Sequence, residues 1–389
     1  LSSFFFFVPN RLVWDNWEKF CGQQTDPGDS IDYTIPVISG ANNFTGEGTL
    51  WDYFGLPLDD GAGGGHVDPD DVTISALPWR AYTLCYNEWF RDQNLQDSAT
   101  VNTGDTPSTL AATIDQAGGQ YYLPFKRGKR HDYFTSCLPW PQKGDAVDLP
   151  LGTSADIHAL STTGTDTYGV YDDNDAAQRV LLPVTSTSVI AGAVAGDAKL
   201  YADLSGATAA TINELRLAFQ TQRLLERDAR SGTRYNELVL AHFGVTVPDY
   251  RIQRPEFLGG GSTPVQYAET QQTTYQGTET IYDGRGATST RGMATGRHGF
   301  TKSFTEHGYV IGIVCVDGDI TYQQGIDRDW SKSTRYDIYW PVLSQIGEQA
   351  VMDQELYWVT GADATVFGYQ ERHAEYRYKQ SRITGLFNS

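Results

Sequence analysis

The sequence predicts a mainly β fold, a β-sandwich or jelly roll whose long connections carry a few helices. Three observations lead there. Short strand-like runs bounded by Gly, Pro and Asp recur along the chain. The helical patterns are isolated and do not alternate with strands as in a parallel α/β fold. The composition is rich in Gly (40), Tyr (23), Phe (17) and Trp (9) with only 20% charged residues, which excludes disorder, coiled coil and collagen. A compact chain of 389 residues buries roughly three quarters of its unfolded surface, so its core needs no disulfides.

Taken in order, Ser3–Val8 reads as a strand, and so does Asp32–Ile38. A helix starts near Ser75. It tolerates Pro78 in its first turn, where a missing amide costs nothing, and sets Leu77, Ala81, Leu84, Cys85, Glu88 and Trp89 on one side. From Gly144 to Ala210 the chain is Gly, Ser, Thr, Ala and Asp, the profile of a projecting insertion with small strands of its own. Thr211-Ile-Asn-Glu214 is a capping box; Ile212, Leu215, Phe219, Gln222 and Leu225 follow on one helical face, closed by Ser231-Gly232. Tyr235–His242 is a shorter helix that ends at Gly244. Further strands are expected at Thr263–Thr274, Phe300–Thr305, Tyr309–Val316 and Glu355–Thr360, with an irregular loop over Gly277–Gly299. Because Tyr309–Val316 is apolar at consecutive positions, it is expected to be covered on both faces, at the centre of the core.

No run approaches the eighteen or so apolar residues of a membrane-spanning helix. Leu1–Val8 lacks the basic flank and cleavage site of a signal peptide and reads as a strand, one cut from a longer chain. Cys21, Cys85, Cys137 and Cys315 lie far apart, without CxxC or zinc-ligand spacing, and read as buried free thiols in a reducing compartment. Charge is uneven. Residues 1–210 hold 11 basic and 27 acidic side chains (net −16), residues 211–389 hold 18 and 21 (net −3), so any nucleic-acid contact must be local.

Enzyme signatures are absent. Gly61-Ala-Gly-Gly-Gly65 and Gly259-Gly-Gly261 read as turns, Gly128-Lys129 lacks the upstream Gly of a phosphate loop, and neither HExxH nor GxSxG occurs. Glu88, Glu306 and Glu371 in aromatic surroundings keep open one competing class, a secreted carbohydrate-binding or carbohydrate-active β-sandwich. Asp317-Gly-Asp319 and Asp172-Asp-Asn-Asp175 carry oxygen donors without calcium-loop spacing, so no cofactor is expected and structural divalent cations are not indicated.

The most informative patch runs from Tyr121 to Phe134. Lys126, Arg127, Lys129 and Arg130 are interleaved with aromatic rings, a pattern that pairs phosphate contact with base stacking. A solvated turn or an interface ion-pair site is the alternative. A second patch, Glu371–Arg382, carries Arg372, Arg377, Lys379 and Arg382 among acids and suggests intermolecular salt bridges at a subunit interface.

These segments also carry a likeness. Phe5-Phe-Phe-Val-Pro-Asn-Arg-Leu-Val-Trp-Asp-Asn-Trp-Glu-Lys-Phe20, Leu77-Pro-Trp-Arg-Ala-Tyr82 with Tyr86–Asp92, Lys126–Phe134 with Leu138-Pro-Trp-Pro-Gln142, Arg254–Leu258, Thr321–Gly325 and Phe367–Arg372 resemble the major capsid proteins of the single-stranded DNA microviruses, the gokushovirus branch in particular. The resemblance implies an eight-stranded jelly roll with long insertions, parted here into 1–143, a surface-exposed variable protrusion over 144–210, and 211–389. It implies no catalysis but self-assembly into an icosahedral shell around circular single-stranded DNA, in a virion assembled in the host bacterial cytoplasm. Implied partners are other copies of the chain, the packaged DNA, a small basic packaging protein, a DNA pilot protein and a host receptor met through 144–210, with no membrane insertion. Family members carry further segments before the Phe5 strand and after Arg382-Ile-Thr-Gly-Leu-Phe387.

Overall fold

The computed structural model describes residues 1–39, 47–58, 72–106, 123–147, 156–160, 169–171, 178–180, 199–203, 212–271, 288–344, 346–361 and 365–387. The chain divides into two compact units, Leu1–Pro141 with Asp228–Ser389, and Gln142–Arg227. In the first unit the early strands are β1 (Ser2–Pro9), β2 (Val37–Ser39) and β3 (Thr73–Ser75). The second unit holds β4 (Asp156–Leu160), β5 (Gly169–Tyr171), β6 (Gln178–Val180) and β7 (Lys199–Asp203). The first unit resumes with β8 (Glu256–Ser262), β9 (Gln266–Gln271), β10 (Thr288–Met293), β11 (Gly308–Cys315), β12 (Glu348–Met352) and β13 (Val366–Glu371). Helices are α1 (Trp17–Phe20), α2 (Leu50–Tyr53), α3 (Leu77–Cys85), α4 (Ile212–Ser231), α5 (Tyr235–Phe243), α6 (Arg328–Ser331) and α7 (Asp353–Leu356).

Among the described residues the strands form one three-stranded sheet, β11-β1-β8, and five antiparallel pairs: β2–β3, β4–β7, β5–β6, β9–β10 and β12–β13. The three-stranded sheet organises the main core. Alternation along β1 sends Phe4, Phe6 and Val8 to one face, opposite Ile313, Ile311 and Tyr309 of β11. There they meet Leu77, Ala81 and Cys85 of α3, and Phe90 in the π-helical turn Tyr86–Phe90 that extends it. Phe6 packs against Trp89, Phe90 and Phe257 at ring separations of 5.3, 5.7 and 5.6 Å. On the other face Phe5 meets Phe300 at 5.6 Å and Phe7 stacks on Phe304 at 4.2 Å.

The entry to α3 is built locally: Pro78 lies in the first turn, and Ser75 Oγ accepts from the Leu77 amide at 3.3 Å. Arg80 points inward and is fully buried; its guanidinium donates to the carbonyls of Val13 (3.1 Å) and Thr106 (3.5 Å). Ile38, Leu50, Trp51, Ala76 and Trp79 form a second cluster, and Tyr133, Phe134, Val351 and Ala374 a third. In the third, buried Glu355 accepts from Tyr133 Oη (3.2 Å) and from Arg328 Nη1 (3.1 Å), so its charge is matched where it is desolvated. In the second unit, the Lys143 amide donates to the Leu225 carbonyl at 3.4 Å.

Several expectations are corrected. Asp32–Ile38 is strand only from Val37, because its earlier residues have no partner strand among the described residues. Phe300–Thr305 is irregular, its two phenylalanines covering β1 without joining the ladder. Glu355–Thr360 instead begins inside α7, where the Glu355 carboxylate accepts from the Met352 amide at 3.2 Å and folds the chain into a turn. Gly259–Gly261 lies within β8. A Cβ on Gly260 would meet the Ser3 carbonyl oxygen at 2.3 Å and one on Gly261 the His298 ring at 2.0 Å, so close backbone approach, not a turn, demands glycine there. β11 is an edge strand with Ile311 buried and Val310 and Val314 exposed, not a strand covered on both faces. On α4, Leu215, Gln222 and Leu225 are half-buried, whereas Ile212 and Phe219 are exposed. Cys21 is exposed; Cys85 is buried and Cys137 and Cys315 are half-buried, all unpaired. Thr211 of the capping box, Gly61–Gly65 and Asp172–Asp175 lie outside the described residues.

Candidate nucleic-acid and subunit surfaces

The basic loop is mounted on α3 by one ring. Phe125 stacks between Tyr86 (4.2 Å, 14°) and Tyr82 (5.6 Å, 16°), and its amide donates to Tyr82 Oη at 3.0 Å. Burial pushes the Tyr82 hydroxyl well above its ordinary range, so it stays protonated and available for hydrogen bonding. The Lys126 carbonyl accepts from Gln96 Nε2 at 3.3 Å, which leaves the Lys126 side chain outside. Arg127 is held: its guanidinium lies over the rings of Phe4 (5.2 Å) and Phe90 (5.6 Å) and pairs with Asp317 at 3.5 Å. Arg130 pairs with Asp319 at 3.0 Å in a solvent-exposed bridge of little energetic weight. Among the described residues, Lys126 and Lys129 have no carboxylate within salt-bridge distance.

The loop does not stand alone. It forms one wall of a cleft of about 590 Å³ to which the end of the π-helical turn contributes Arg91, and the stretch from the end of α4 to the start of α5 contributes Arg230 and Arg234. Arg234 is anchored to Glu237 (3.3 Å) and to the carbonyls of Asn87 (3.1 Å) and Arg91 (3.2 Å). Arg230 pairs with Glu348 and donates to the Gly347 carbonyl at 3.2 Å. Only Asp92 and Glu237 oppose this positive charge in the lining. Sequence reasoning missed Arg91, Arg230 and Arg234 because they lie far along the chain from the loop, in stretches where acids such as Asp92, Glu226 and Asp228 alternate with the cations. Only the packing of residues 87–93, in and just after the π-helical turn, against the 228–234 segment brings them to Lys129.

The second patch is tied into its own subunit. Arg372 donates to the Tyr336 carbonyl (3.2 Å), Arg377 pairs with Glu371, Lys379 with Asp329 (3.1 Å), and Arg382 with the Gly325 carbonyl (2.5 Å) and Asp327 (3.7 Å). Beside it lies an aromatic surface, with Trp330 and Val342 almost wholly exposed and Tyr336, Trp340, Tyr357 and Trp358 about half exposed. Glu306 is paired with Arg11 at 2.7 Å and Glu371 with Arg377, so these carboxylates serve ion pairs. Among the described residues no cluster of His, Cys, Asp and Glu is arranged to hold a metal ion, and no helix is long and apolar enough to cross a membrane.

The scaffold that carries these cationic and aromatic surfaces is mixed, with helices beside one three-stranded sheet and five strand pairs among the described residues, not the mainly β fold expected, and comparison with known proteins identifies the family. Over residues 1–389 the sequence matches the family described as capsid protein (F protein). The chain belongs to this capsid protein family. Similar proteins include the capsid protein VP1 of Bdellovibrio phage phiMH2K, 43% identical over 403 residues, which span all of this chain and 72% of the relative. Those of Chlamydia phage 1 (36% over 466 residues, all of this chain and 75% of the relative) and Spiroplasma virus 4 (35% over 418 residues, all of this chain and 72% of the relative) are also similar. The likeness to microvirus capsid proteins read from the aromatic blocks is therefore real, and it covers the whole chain.

Proposed function

We propose that this chain is a structural major capsid protein that self-assembles into an icosahedral shell enclosing circular single-stranded DNA, and that it catalyses no reaction. The family match over the whole chain carries this reading. The exposed Trp, Tyr and Arg side chains around residues 330–382 support it, since these residue types are enriched in the buried cores of subunit contacts. In this reading Arg372, Arg377, Lys379 and Arg382 rim such a contact. The framework is an eight-stranded jelly roll, for which β1 pairing antiparallel with strands more than 240 residues away is the supporting observation. The protein resides in the virion and is assembled in the host bacterial cytoplasm. Negative-stain microscopy and sedimentation of the purified protein test the reading: closed particles are expected, and a monodisperse monomer under all assembly conditions refutes it.

Lys126, Arg127, Lys129 and Arg130 meet the packaged DNA, or a small basic packaging protein bound to it, without reading sequence. The support is the cationic cleft shared with Arg91, Arg230 and Arg234. A subunit with net charge −19 gains only a local, salt-sensitive contact from it, so cations or other proteins neutralise most of the genome. Changing all four to Gln is expected to lower DNA retention and leave empty-shell assembly intact; failure of shells to form identifies a subunit ion-pair site instead. The 144–210 insertion carries the contact with a host receptor, and a DNA pilot protein joins the particle. Replacing 144–210 by a short linker is expected to leave the remaining unit folded, measured by far-UV circular dichroism.

A further inference from the structure

We infer that the basic loop holds a single strand by two chemistries at once: an unstacked base enters an apolar pocket against the Phe367 ring, and the phosphate beside it meets Lys129. This inference rests on the reading that the loop meets packaged DNA, and it names the binding mode at that site. The first observation is a second depression. Beside the cationic cleft lies a pocket of about 530 Å³ whose apolar lining is Leu95, Phe134, Cys137, Leu138, Pro139 and Phe367. Asp92, Arg127, Gly128, Lys129 and Leu138 line both, so cleft and pocket adjoin at the loop.

The second observation is that the apolar wall is fixed in place. Leu138 and Tyr369 of β13 exchange both backbone hydrogen bonds at 2.8 Å, and a Cβ on Gly368 would lie 2.8 Å from that of Cys137, so β13 lies hard against the 137–138 segment. Phe125, Tyr133 and Phe134, the rings next to the cations in sequence, pack inside the subunit. Phe367 supplies the remaining ring: it meets Phe134 edge-on at 6.3 Å and stays 41% exposed. A ring already held by its neighbours loses little freedom when a base stacks on it.

The third observation selects the occupant. Six arginine and lysine side chains face two carboxylates in the cleft, and in the pocket Arg127 and Lys129 face Asp92 alone. Arg127 is committed to the rings of Phe4 and Phe90, which leaves Lys129 as the cation able to serve either depression. A basic peptide would be repelled here and a neutral apolar one would gain nothing from the cations, whereas a polyanion carrying flat apolar rings suits both. The polar groups that could read a base edge are already spent. Gln96 donates to the Lys126 carbonyl (3.3 Å) and accepts from the Asp92 amide (2.9 Å), and the Thr135 hydroxyl donates to the Arg130 carbonyl at 2.6 Å. The pocket therefore takes a base by its face and does not select sequence. Bases inside a duplex are paired and stacked and do not reach it.

The test uses the full, unassembled chain and fluorescence anisotropy. An oligothymidylate of about ten nucleotides is expected to bind about tenfold tighter than an abasic strand of equal length and charge, the gain from one base stacked on an aromatic ring. Phe367→Ala is expected to abolish that preference and leave the salt dependence unchanged, while Phe367→Trp keeps the preference. Lys129→Gln is expected to weaken both strands alike and to lower the salt slope by about one. Circular dichroism confirms folding of each variant. Without any substitution, wild-type chain irradiated with an iododeoxyuridine strand is expected to cross-link at Phe367 or within residues 134–139, mapped by peptide mass spectrometry. Equal binding of the two strands by the wild type overturns the inference. So does a full base preference in folded Phe367→Ala, or cross-linking confined to residues outside the pocket. If both strands bind equally, the base seat fails and the DNA-contact reading stands; if neither binds and no cross-link forms, both fail.

Discussion

Phe6→Ala tests how the main core is built. Phe6 is 1% exposed at the centre of β1, enclosed by Trp89, Phe90 and Phe257, with Ile311 opposite it on β11. Removing the ring loses the transfer free energy of a fully buried aromatic side chain and leaves a cavity walled by rigid rings that cannot collapse, a combined loss of about 3–5 kcal/mol. Against a total stability of about 5–15 kcal/mol this is a large fraction. Phe6→Leu, which refills most of the volume, should cost about 1–1.5 kcal/mol. Val310→Ala on the adjacent strand is the control: its side chain faces the open side of the sheet and should cost only a few tenths of a kcal/mol in the isolated subunit. Urea unfolding followed by tryptophan fluorescence reads all three from the shift in midpoint at constant slope. If Phe6→Ala costs less than about 1 kcal/mol, or Val310→Ala costs as much as Phe6→Ala, the two faces of the β1–β11 ladder have been assigned the wrong way round.

Other predictions follow from buried polar groups. Arg80→Met should destabilise by about 2–4 kcal/mol in the same assay, because the carbonyls of Val13 and Thr106 lose a charged donor inside the core; wild-type stability would show that these carbonyls have other donors. His373 is buried, with no ring hydrogen-bond partner among the described residues; burial lowers its pKa, against an opposing pull from Glu375 at 3.7 Å, and Arg372 and Lys332 lower it further. A lowered histidine pKa means the unfolded chain takes up the proton first. Stability from this site is therefore complete above about pH 6.5 and is lost as pH falls from there to the folded value. His373→Asn, chosen because Asn tolerates the left-handed backbone at φ 63°, should remove that part of the slope between about pH 7.5 and about pH 5.5, and an unchanged slope would assign it elsewhere.

Local chemistry made part of the molecule legible. The helix Tyr235–Phe243 stops at Gly244 with φ 68°, as a glycine after a helical run demands, and Pro78 lies in the first turn of α3. The apolar run Ser3–Val8 and the dense run before Cys315 announced strands, and the cations of Lys126–Arg130 announced a basic patch, but the rings beside them, expected to stack on bases, pack inside the subunit at Phe125, Tyr133 and Phe134. These signals act over a few residues, so the order of amino acids alone determines them. Other features depend on residues far apart in the chain. Whether Gly259–Gly261 turns or extends was decided by Ser3 and His298, and whether Phe300–Thr305 joins a sheet by the rings of Phe5 and Phe7, which Phe300 and Phe304 cover. The gathering of Arg91, Arg230 and Arg234 around the basic loop, and the single covered face of β11, likewise have no local signature. Composition and periodicity specify which surfaces are apolar or charged; only the closing of the chain on itself decides which of them find a partner within the subunit and which are left facing outward.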